Sequence, residues 1–271
     1  MQDAALLIPP PAALLEPFHL GTPEEFMIPR NYIDGFQLSN DVSNPNTALD
    51  IGAGMCADST NKYLFQGNAL VKNTTSTWSA GNNQPGMGNG LTIAPNTWYH
   101  VHEILINNAI DTYFDTSPTA ANAPNGTIAN RRVGSFKTNG SSQIITFIQA
   151  GEWFYFAPVT EYNSTSSRTM SALTLAGVPT GVVVFPKFSG IAAPANGVQI
   201  LLELAPVSHL TWIWTSVSIL SSGTTQVAAN LLDGPATNTS AQVGFAVTNN
   251  GALNSSLQTV AYQDRRGKDG P

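Results

Sequence analysis

The sequence predicts an all-β protein, an antiparallel β-sandwich of the jelly-roll kind with an extended, proline-rich N-terminal arm. From Asn31 onward, short segments rich in Val, Ile, Thr, Phe and Tyr alternate with clusters of Gly, Pro, Asn and Ser, which is the pattern of strands and turns. No longer segment has the periodicity of an amphipathic helix, which argues against a parallel sheet with alternating helices. We therefore divide the chain into an attachment arm, residues 1–30, and a β-sandwich module, residues 31–271.

The arm combines prolines with apolar side chains. Prolines at 9, 10, 11, 17, 23 and 29 exclude a long helix and favour an extended chain. Because exposing the apolar side chains to water is unfavourable, we expect them to lie on a surface, either on the module of the same chain or on a partner subunit. Both alternatives remain open. The candidate docking residues are Leu6, Leu7, Ile8, Leu14, Leu15, Phe18 and Phe26.

The start of the chain does not match an export signal. No Lys or Arg precedes its apolar part, and prolines interrupt that part. Elsewhere, no stretch reaches the roughly 18 apolar residues that a membrane span needs. We expect no membrane span and synthesis in a reducing compartment.

Composition limits what the module can bind. Of the 271 residues, 42% are hydrophobic but only 10% are charged, against about 25% in ordinary domains. The net charge is −6 and the 11 basic residues are dispersed, so no nucleic-acid partner is expected. Cys56 is the single cysteine and cannot form an intrachain disulfide, so we expect a small buried hydrophobe there.

Strand-forming segments follow one another along the whole module. The candidate strands are 31–39, 47–53, 62–72, 98–106, 109–115, 131–138, 143–149, 152–157, 169–175, 180–188, 197–205, 209–219, 225–230, 240–247 and 256–262. Pro186 cannot donate a ladder hydrogen bond, which predicts an edge strand or a bulge there.

A hairpin is predicted around Asn139-Gly140, the dipeptide that favours a two-residue type I′ turn. In its return strand, 143–149, apolar residues occupy both faces, with Ile148 on one and Phe147 on the other. Such a strand should be buried on both faces or covered by a neighbouring chain.

Two histidines are the strongest candidates for metal chemistry. In "WYHVHEI", His100 and His102 should point to the same face of a strand, as paired metal ligands do. A metal site needs three or four ligands, and the other histidines are His19 and His209. The alternative is a polar strand face with a hydrogen-bonded histidine.

Signals for other enzymatic chemistry are weak. Asp111 and Asp115 would lie about 13 Å apart on one strand, beyond the roughly 5–9.5 Å of a glycosidase pair. The glycine-rich segments 52–60 and 86–90 lack the lysine and helix of a phosphate loop. We expect no catalytic residue, no metal and no cofactor. A glycan-processing enzyme built on a β-sandwich is the less favoured alternative, because acids on different strands could converge.

An ordered set of motifs resembles a domain of tailed-bacteriophage virion proteins. "YIDGFQLSNDVSNPNTALDIGAGMCADSTN" is similar to the family's Y-I-x-G-x-x-L-S-N and D-I-x-x-G-x-x-x-D-S-T elements. The likeness continues, in order, through "NTWYHVHEI", "DTYFDTSPTAANAP", "RRVGSFKTNGSSQIITFIQAGEWFYF", "TNTSAQVGF" and "TVAYQDRRGKDG". It covers residues 31 to about 268. Glu152 stands where the family usually has Asp, and the arm has no counterpart in the family.

The resemblance implies a non-enzymatic structural module of tail fibres and other surface appendages, often trimeric. His100 falls on the family's strand histidine, which favours a structural role. Our leading hypothesis is a homotrimer in the virion, assembled in the bacterial host cytoplasm. Residues 1–30 would dock on capsid or tail proteins, the module would project as a fibre, spike or adaptor, and loops 76–96 and 116–130 could contact a host surface glycan. The alternative is a capsid decoration protein or head fibre.

Overall fold

The computed structural model describes residues 18–19, 29–194, 199–211, 213, 215–220, 228–249 and 252–268. These residues hold twenty strands and one 3₁₀ turn at Val207–His209. In chain order the strands are β1 (Phe18–His19), β2 (Ile33–Gly35), β3 (Leu38–Asn40), β4 (Ala48–Ile51), β5 (Gly54–Ala57), β6 (Tyr63–Gly67), β7 (Leu70–Thr77), β8 (Gln84–Met87), β9 (Trp98–Ile106), β10 (Ala109–Asp115), β11 (Thr127–Lys137), β12 (Phe147–Ala150), β13 (Trp153–Ser164), β14 (Arg168–Thr174), β15 (Phe185–Pro194), β16 (Gln199–Ala205), β17 (Thr215–Leu220), β18 (Ala228–Asp233), β19 (Gln242–Asn249) and β20 (Ala252–Gln263). Among them, no helix is long and apolar enough to cross a bilayer.

The described strands form three sheets. The largest has the order β11-β9-β10-β8-β7-β4-β3-β12-β13-β20-β15-β18, and the two four-stranded sheets have the orders β14-β19-β16-β17 and β1-β6-β5-β2. The predicted all-β sandwich is confirmed. Pairing is antiparallel except at β8, which runs parallel to both β7 and β10.

The main core lies between the large sheet and the sheet of β14, β16, β17 and β19. Tyr162 of β13 packs edge-on against Phe245 of β19, with ring centroids 5.2 Å apart. Within the large sheet, Phe154 and Tyr262 stack with centroids 5.0 Å apart. Both layers contribute to one apolar cluster, which excludes water from the interior and stabilises the sandwich. Its buried members include Leu38, Phe114, Phe136, Phe188, Ile200, Leu202, Leu204, Val243 and Leu257.

The small sheet of β1, β6, β5 and β2 extends this core. Cys56 and Phe65 are fully buried in it, and burial raises the pKa of the Cys56 thiol, as expected for a small buried hydrophobe. Phe18 and His19 of the predicted arm pair with β6 of the same chain, opposite Leu64 and Tyr63. The boundary between arm and module stays a prediction.

Several predicted segments differ from the structure. The predicted strand 31–39 is two strands, β2 and β3, because Phe36 adopts a φ of 49° between them. The predicted strand 62–72 is divided into β6 and β7, which belong to different sheets. Loop 76–96 contains β8, and loop 116–130 ends in the first residues of β11. Each departure concerns how strands are divided, and the fold class is unaffected.

The type I′ turn predicted at Asn139-Gly140 is wrong. The backbone N of Ser142 donates to the carbonyl of Asn139 at 3.1 Å, and Ser142, with a φ of 60°, takes the left-handed position. The side-chain oxygen of Asn139 accepts hydrogen bonds from the backbone of Ser141 and Gln143, at 2.9 and 3.0 Å. Asn139 therefore begins a three-residue connection, as Asn commonly does in turns.

The return strand also pairs differently from the prediction. Beyond the bridge between Thr138 and Ile144, β12 pairs with β3 and β13. Phe147 is buried, but Ile148 is 66% exposed, so burial of both faces within one chain is wrong.

Pro186 does not lie in an edge strand, which was one of the two predicted alternatives. It lies in β15, which is between β20 and β18. The ladder with β20 shifts register immediately afterwards, between Lys187 and Phe188. The irregularity predicted for this proline is therefore present inside the sheet.

Candidate functional site

The two histidines of β9 are buried and hydrogen-bonded. His100 Nδ1 lies 2.9 Å from the hydroxyl of Ser135, and His102 Nε2 donates to the carbonyl of Ser117 at 3.0 Å. Burial lowers the pKa of His100 to about 3 and that of His102 to about 4, so both are neutral at pH 7. This is the hydrogen-bonded arrangement that was weighed against a metal pair.

No group of three or more His, Cys, Asp or Glu side chains in the described part of the chain is placed to hold a metal ion. His209, exposed in the 3₁₀ turn, lies 2.9 Å from the Ser208 hydroxyl, and the side chain of His19 lies outside the described residues. The site geometry therefore offers no third ligand to His100 and His102 among the described residues.

The acids of β10 have separate structural partners. Asp111 forms an ion pair with Lys72 at 2.8 Å, deep in the large sheet. Asp115 accepts hydrogen bonds from the backbone of Ser117 and from the side chain of Asn122, at 2.9 and 2.7 Å. These hydrogen bonds outweigh burial and lower the pKa of Asp115. Neither acid is oriented toward the other as a catalytic pair would be.

Glu103 is the most perturbed carboxyl near this network. Thr112 donates a hydrogen bond to it at 2.5 Å, but burial raises its pKa to about 8. A carboxyl with a pKa near neutrality is a common feature of catalytic acids. Here the side chain is only 1% exposed, and its neighbours Lys72 and Asp111 are buried with it. No substrate can reach this cluster without opening the sheet.

An exposed apolar patch lies on the outer face of the large sheet. We call it the β12–β13 patch, formed by the exposed Ile148 and Tyr155 and the half-buried Trp153. Ile148 and Tyr155 are register partners and are 66% and 42% exposed. Trp153 and Tyr155 stack with centroids 6.2 Å apart, and the ammonium of Lys187 lies 5.2 Å from the Trp153 ring. Contiguous exposed apolar surface of this kind marks interaction sites.

An arginine-lined cavity lies beside the middle of β11. Arg131, Arg132 and Arg266 line it, and its volume is about 350 Å³. Sequence reasoning missed it because Arg266 is distant in sequence from Arg131. The signal was present as two Arg-Arg pairs, at 131–132 and 265–266, in a chain with 11 basic residues.

The predicted docking residues cannot be placed. Only the backbone of Phe18 is described, in β1. The others lie outside the described residues: Leu6, Leu7, Ile8, Leu14, Leu15 and Phe26.

No family model and no curated protein matches the chain. Among solved structures, it is similar to the VP2 subviral particle of infectious bursal disease virus, at 12% identity and a TM-score of 0.23, over 88% of this chain and 72% of that one. It is also similar to the CBM22-1–CBM22-2 tandem domain of Paenibacillus barcinonensis Xyn10C, at 10% identity and a TM-score of 0.21, over 86% of this chain and 99% of that one. Likeness at these TM-scores carries no argument about function.

Proposed function

We propose that the chain is a non-enzymatic structural protein of a phage virion. It acts as a homotrimer whose arm, residues 1–30, docks on capsid or tail proteins and whose module projects as a fibre, spike or adaptor. The ordered resemblance across residues 31 to about 268 supports the phage assignment. The observation that carries the assembly is the β12–β13 patch, since apolar surface exposed in one chain is what a neighbouring chain would cover.

The patch suits a subunit interface better than a solvent-facing surface. Ile148 and Tyr155 form a cross-strand pair, and Trp153 lies beside Tyr155. Aromatic side chains are enriched in the buried centres of interfaces. The rim is polar, with exposed Ser39 opposite Ile148 and Lys187 beside Trp153. A stable interface buries about 800 Å² per subunit, so surrounding residues must also take part.

The buried ionisable groups support a structural role over a catalytic one. Glu103, His100 and His102 have strongly shifted pKa values, and all three are buried within the sheet. Their hydrogen-bond partners belong to neighbouring strands and loops, so they fix the sheet rather than face a substrate.

Native mass of the purified chain tests the assembly. We expect three times the subunit mass of 28.7 kDa, and a reduced mass for Ile148→Asp, because a carboxylate would be buried without a partner. Val42→Asp is the matched control, since Val42 is 92% exposed and lies outside the patch. A monomeric wild-type chain would show that the trimer is wrong.

Incorporation into particles tests the arm. A chain lacking residues 1–17 keeps β1 and its pairing with β6, but loses Leu6 to Leu15. We expect this chain to fold and to be missing from purified virions. If it is incorporated at the wild-type level, these residues do not dock the protein.

Imaging the labelled chain in the particle separates the two virion locations. Density along the tail supports a tail fibre or adaptor, and density over the shell supports a decoration protein or head fibre. Contact with a host surface glycan through loops 76–96 and 116–130 predicts that host polysaccharide binds the purified chain without being cleaved. Cleavage would overturn the non-enzymatic assignment.

A further inference from the structure

The arginine cavity brings together parts of the chain that are distant in sequence. Arg131 and Arg132 come from β11, Arg266 from the segment after β20, and Ser59 and Thr119 from two loops. Its volume of about 350 Å³ is within the range of small-molecule sites, about 300–1,000 Å³. Within the described part of the chain, no Asp or Glu is among the residues that line it.

One of the three arginines is neutralised. Arg132 donates to both carboxylate oxygens of Asp264, at 2.7 and 2.6 Å, in a bidentate ion pair. The same carboxylate accepts a hydrogen bond from the backbone N of Arg266 at 2.8 Å. Asp264 thus already accepts three hydrogen bonds, two of them from Arg132, and forms no side-chain ion pair with the Arg266 guanidinium in the described structure.

The other two arginines are buried without a carboxylate partner among the described residues. Arg131 is 5% exposed and donates to the backbone carbonyls of Asn31 and Arg266, at 3.0 and 2.8 Å. Arg266 is 3% exposed and donates to the carbonyl of Gly35 at 2.8 Å. The Nε atom of each guanidinium is buried and has no hydrogen-bond partner. Neutral carbonyls satisfy part of each guanidinium but do not pair its charge with a carboxylate.

Nearby acids compensate these charges only in part: Asp58 raises the pKa of Arg131, and Asp264 and Glu152 raise that of Arg266, but burial outweighs them. Asp58 precedes Ser59 at the cavity wall, but its carboxylate accepts four hydrogen bonds within its own turn, from Thr60, Lys62 and Tyr63. Burial is the main cause that lowers the pKa of both Arg131 and Arg266. A buried cation without a partner is unfavourable, and binding an anion would relieve that cost.

We propose that this cavity is a binding site for an oxyanion, a carboxylate or phosphate carried on a small molecule or sugar unit. A guanidinium is planar and matches two oxygens of such a group at once. The hydroxyls of Ser59 and Thr119, together with Asn130, supply neutral polar groups for the rest of the ligand. The cavity volume exceeds that of a bare ion, which favours an anionic group that is part of a larger molecule.

Thermal unfolding and titration calorimetry of the full chain test the site. Inorganic phosphate and glucuronate are the probes, with chloride at matched ionic strength and neutral glucose as controls. We expect phosphate or glucuronate, but neither control, to raise the Tm with increasing concentration, because a ligand that binds the folded state stabilises it. The probe that binds more tightly identifies phosphate or carboxylate as the natural group.

Variants assign the binding to these residues. Arg131→Met and Arg266→Met should each weaken binding at least tenfold. Arg168→Met, a half-buried arginine of β14 that donates to the carbonyl of Ala172, should leave it unchanged. Should a Met variant fail to fold, Arg131→Lys keeps the charge but loses the bidentate geometry, and we expect about tenfold weaker binding. Any one of three results would overturn the proposal: equal effects of chloride and phosphate on the Tm, equal binding of glucose and glucuronate, or wild-type affinity in Arg131→Lys.

Discussion

Arg132 and Asp264 join β11 to the segment after β20 through two parallel hydrogen bonds, at 2.7 and 2.6 Å. The two residues are 132 positions apart in sequence, and both side chains are at least nine-tenths buried. A bidentate pair of this kind holds the segment after β20 in one register against β11. The cavity wall formed by Arg266 depends on that position.

Breaking this pair should destabilise the protein strongly. We expect Asp264→Asn to lower the free energy of unfolding by about 3–5 kcal/mol, because it leaves a buried guanidinium without its carboxylate. Lys187 and Asp233 form the matched control pair at 3.2 Å, with the Asp233 side chain 80% exposed. Asp233→Asn should cost less than about 1 kcal/mol. Urea unfolding measures both, and equal costs would contradict a special role for Arg132 and Asp264.

The same pair should contribute to acid sensitivity. Arg132 outweighs burial and lowers the pKa of Asp264 below its usual value. A lowered carboxyl pKa stabilises the folded state above about pH 4, and that contribution is lost as the pH falls through the folded pKa. The stability of Asp264→Asn, measured by urea unfolding between pH 5 and pH 2, should therefore decline less than that of the wild type. An equal decline would mean that other groups govern acid unfolding.

Glu103 should have the opposite effect on the pH profile. Burial raises its pKa to about 8, so the folded protein keeps a proton that the unfolded chain releases above about pH 4.3. Its contribution lowers stability as the pH rises from about 4.3 to about 8. Glu103→Gln removes this loss. Between pH 5 and pH 8.5, we expect the free energy of unfolding of the variant to rise by at least about 1 kcal/mol relative to that of the wild type. Parallel profiles for the two proteins, by urea unfolding, would count against a buried neutral Glu103.

The histidines of β9 should limit stability in mild acid. Their folded pKa values, about 3 for His100 and about 4 for His102, lie below the 6.5 of an unfolded histidine. The unfolded chain therefore binds protons that the folded chain does not bind, and the free energy of unfolding falls as the pH drops from about 6.5 toward 4. His102→Gln keeps a donor for the Ser117 carbonyl and should reduce that fall. His209→Gln, at an exposed site, should not change it, and equal effects of the two variants would contradict the assignment.

The local sequence pattern was enough to predict the fold class but not which strands pair. Val-, Ile- and Thr-rich segments between Gly, Asn and Pro clusters were enough to predict a sandwich. They did not reveal that residues 62–72 bend between two sheets or that Phe36 takes a left-handed conformation. These features depend on contacts between distant strands. The Cβ that any other residue would place at Gly67 lies 2.6 Å from the Phe36 ring, for example, a constraint that no sequence window contains.

In the candidate sites, too, local pattern predicted some features, and others depend on contacts between residues distant in sequence. The spacing of His100 and His102 predicted a shared strand, and the lack of an evident third ligand led to the structural alternative. The cavity could not be predicted, because Arg131 and Arg266 approach each other only when the segment after β20 folds back on β11. The sequence placed apolar residues on both faces of 143–149, Ile148 among them, but did not indicate that Tyr155 pairs with Ile148 or that Trp153 lies beside Tyr155.

The connection after Thr138 tests whether the Asn-Gly dipeptide itself or contacts with the rest of the fold determine the type of turn. Gly140 lies outside the left-handed region, and a Cβ there would meet only the Asn96 side chain, at 3.9 Å, so Gly140→Ala should be neutral or stabilising by up to about 1 kcal/mol. Ser142 takes the left-handed position with a φ of 60°, so Ser142→Gly should relieve strain and raise stability by up to about 1 kcal/mol. A type I′ turn would reverse the first result, because Ala at its second central position is strained. Urea unfolding of the two variants distinguishes the turns: a loss of more than about 1 kcal/mol in Gly140→Ala would restore the two-residue turn that the Asn-Gly dipeptide suggests.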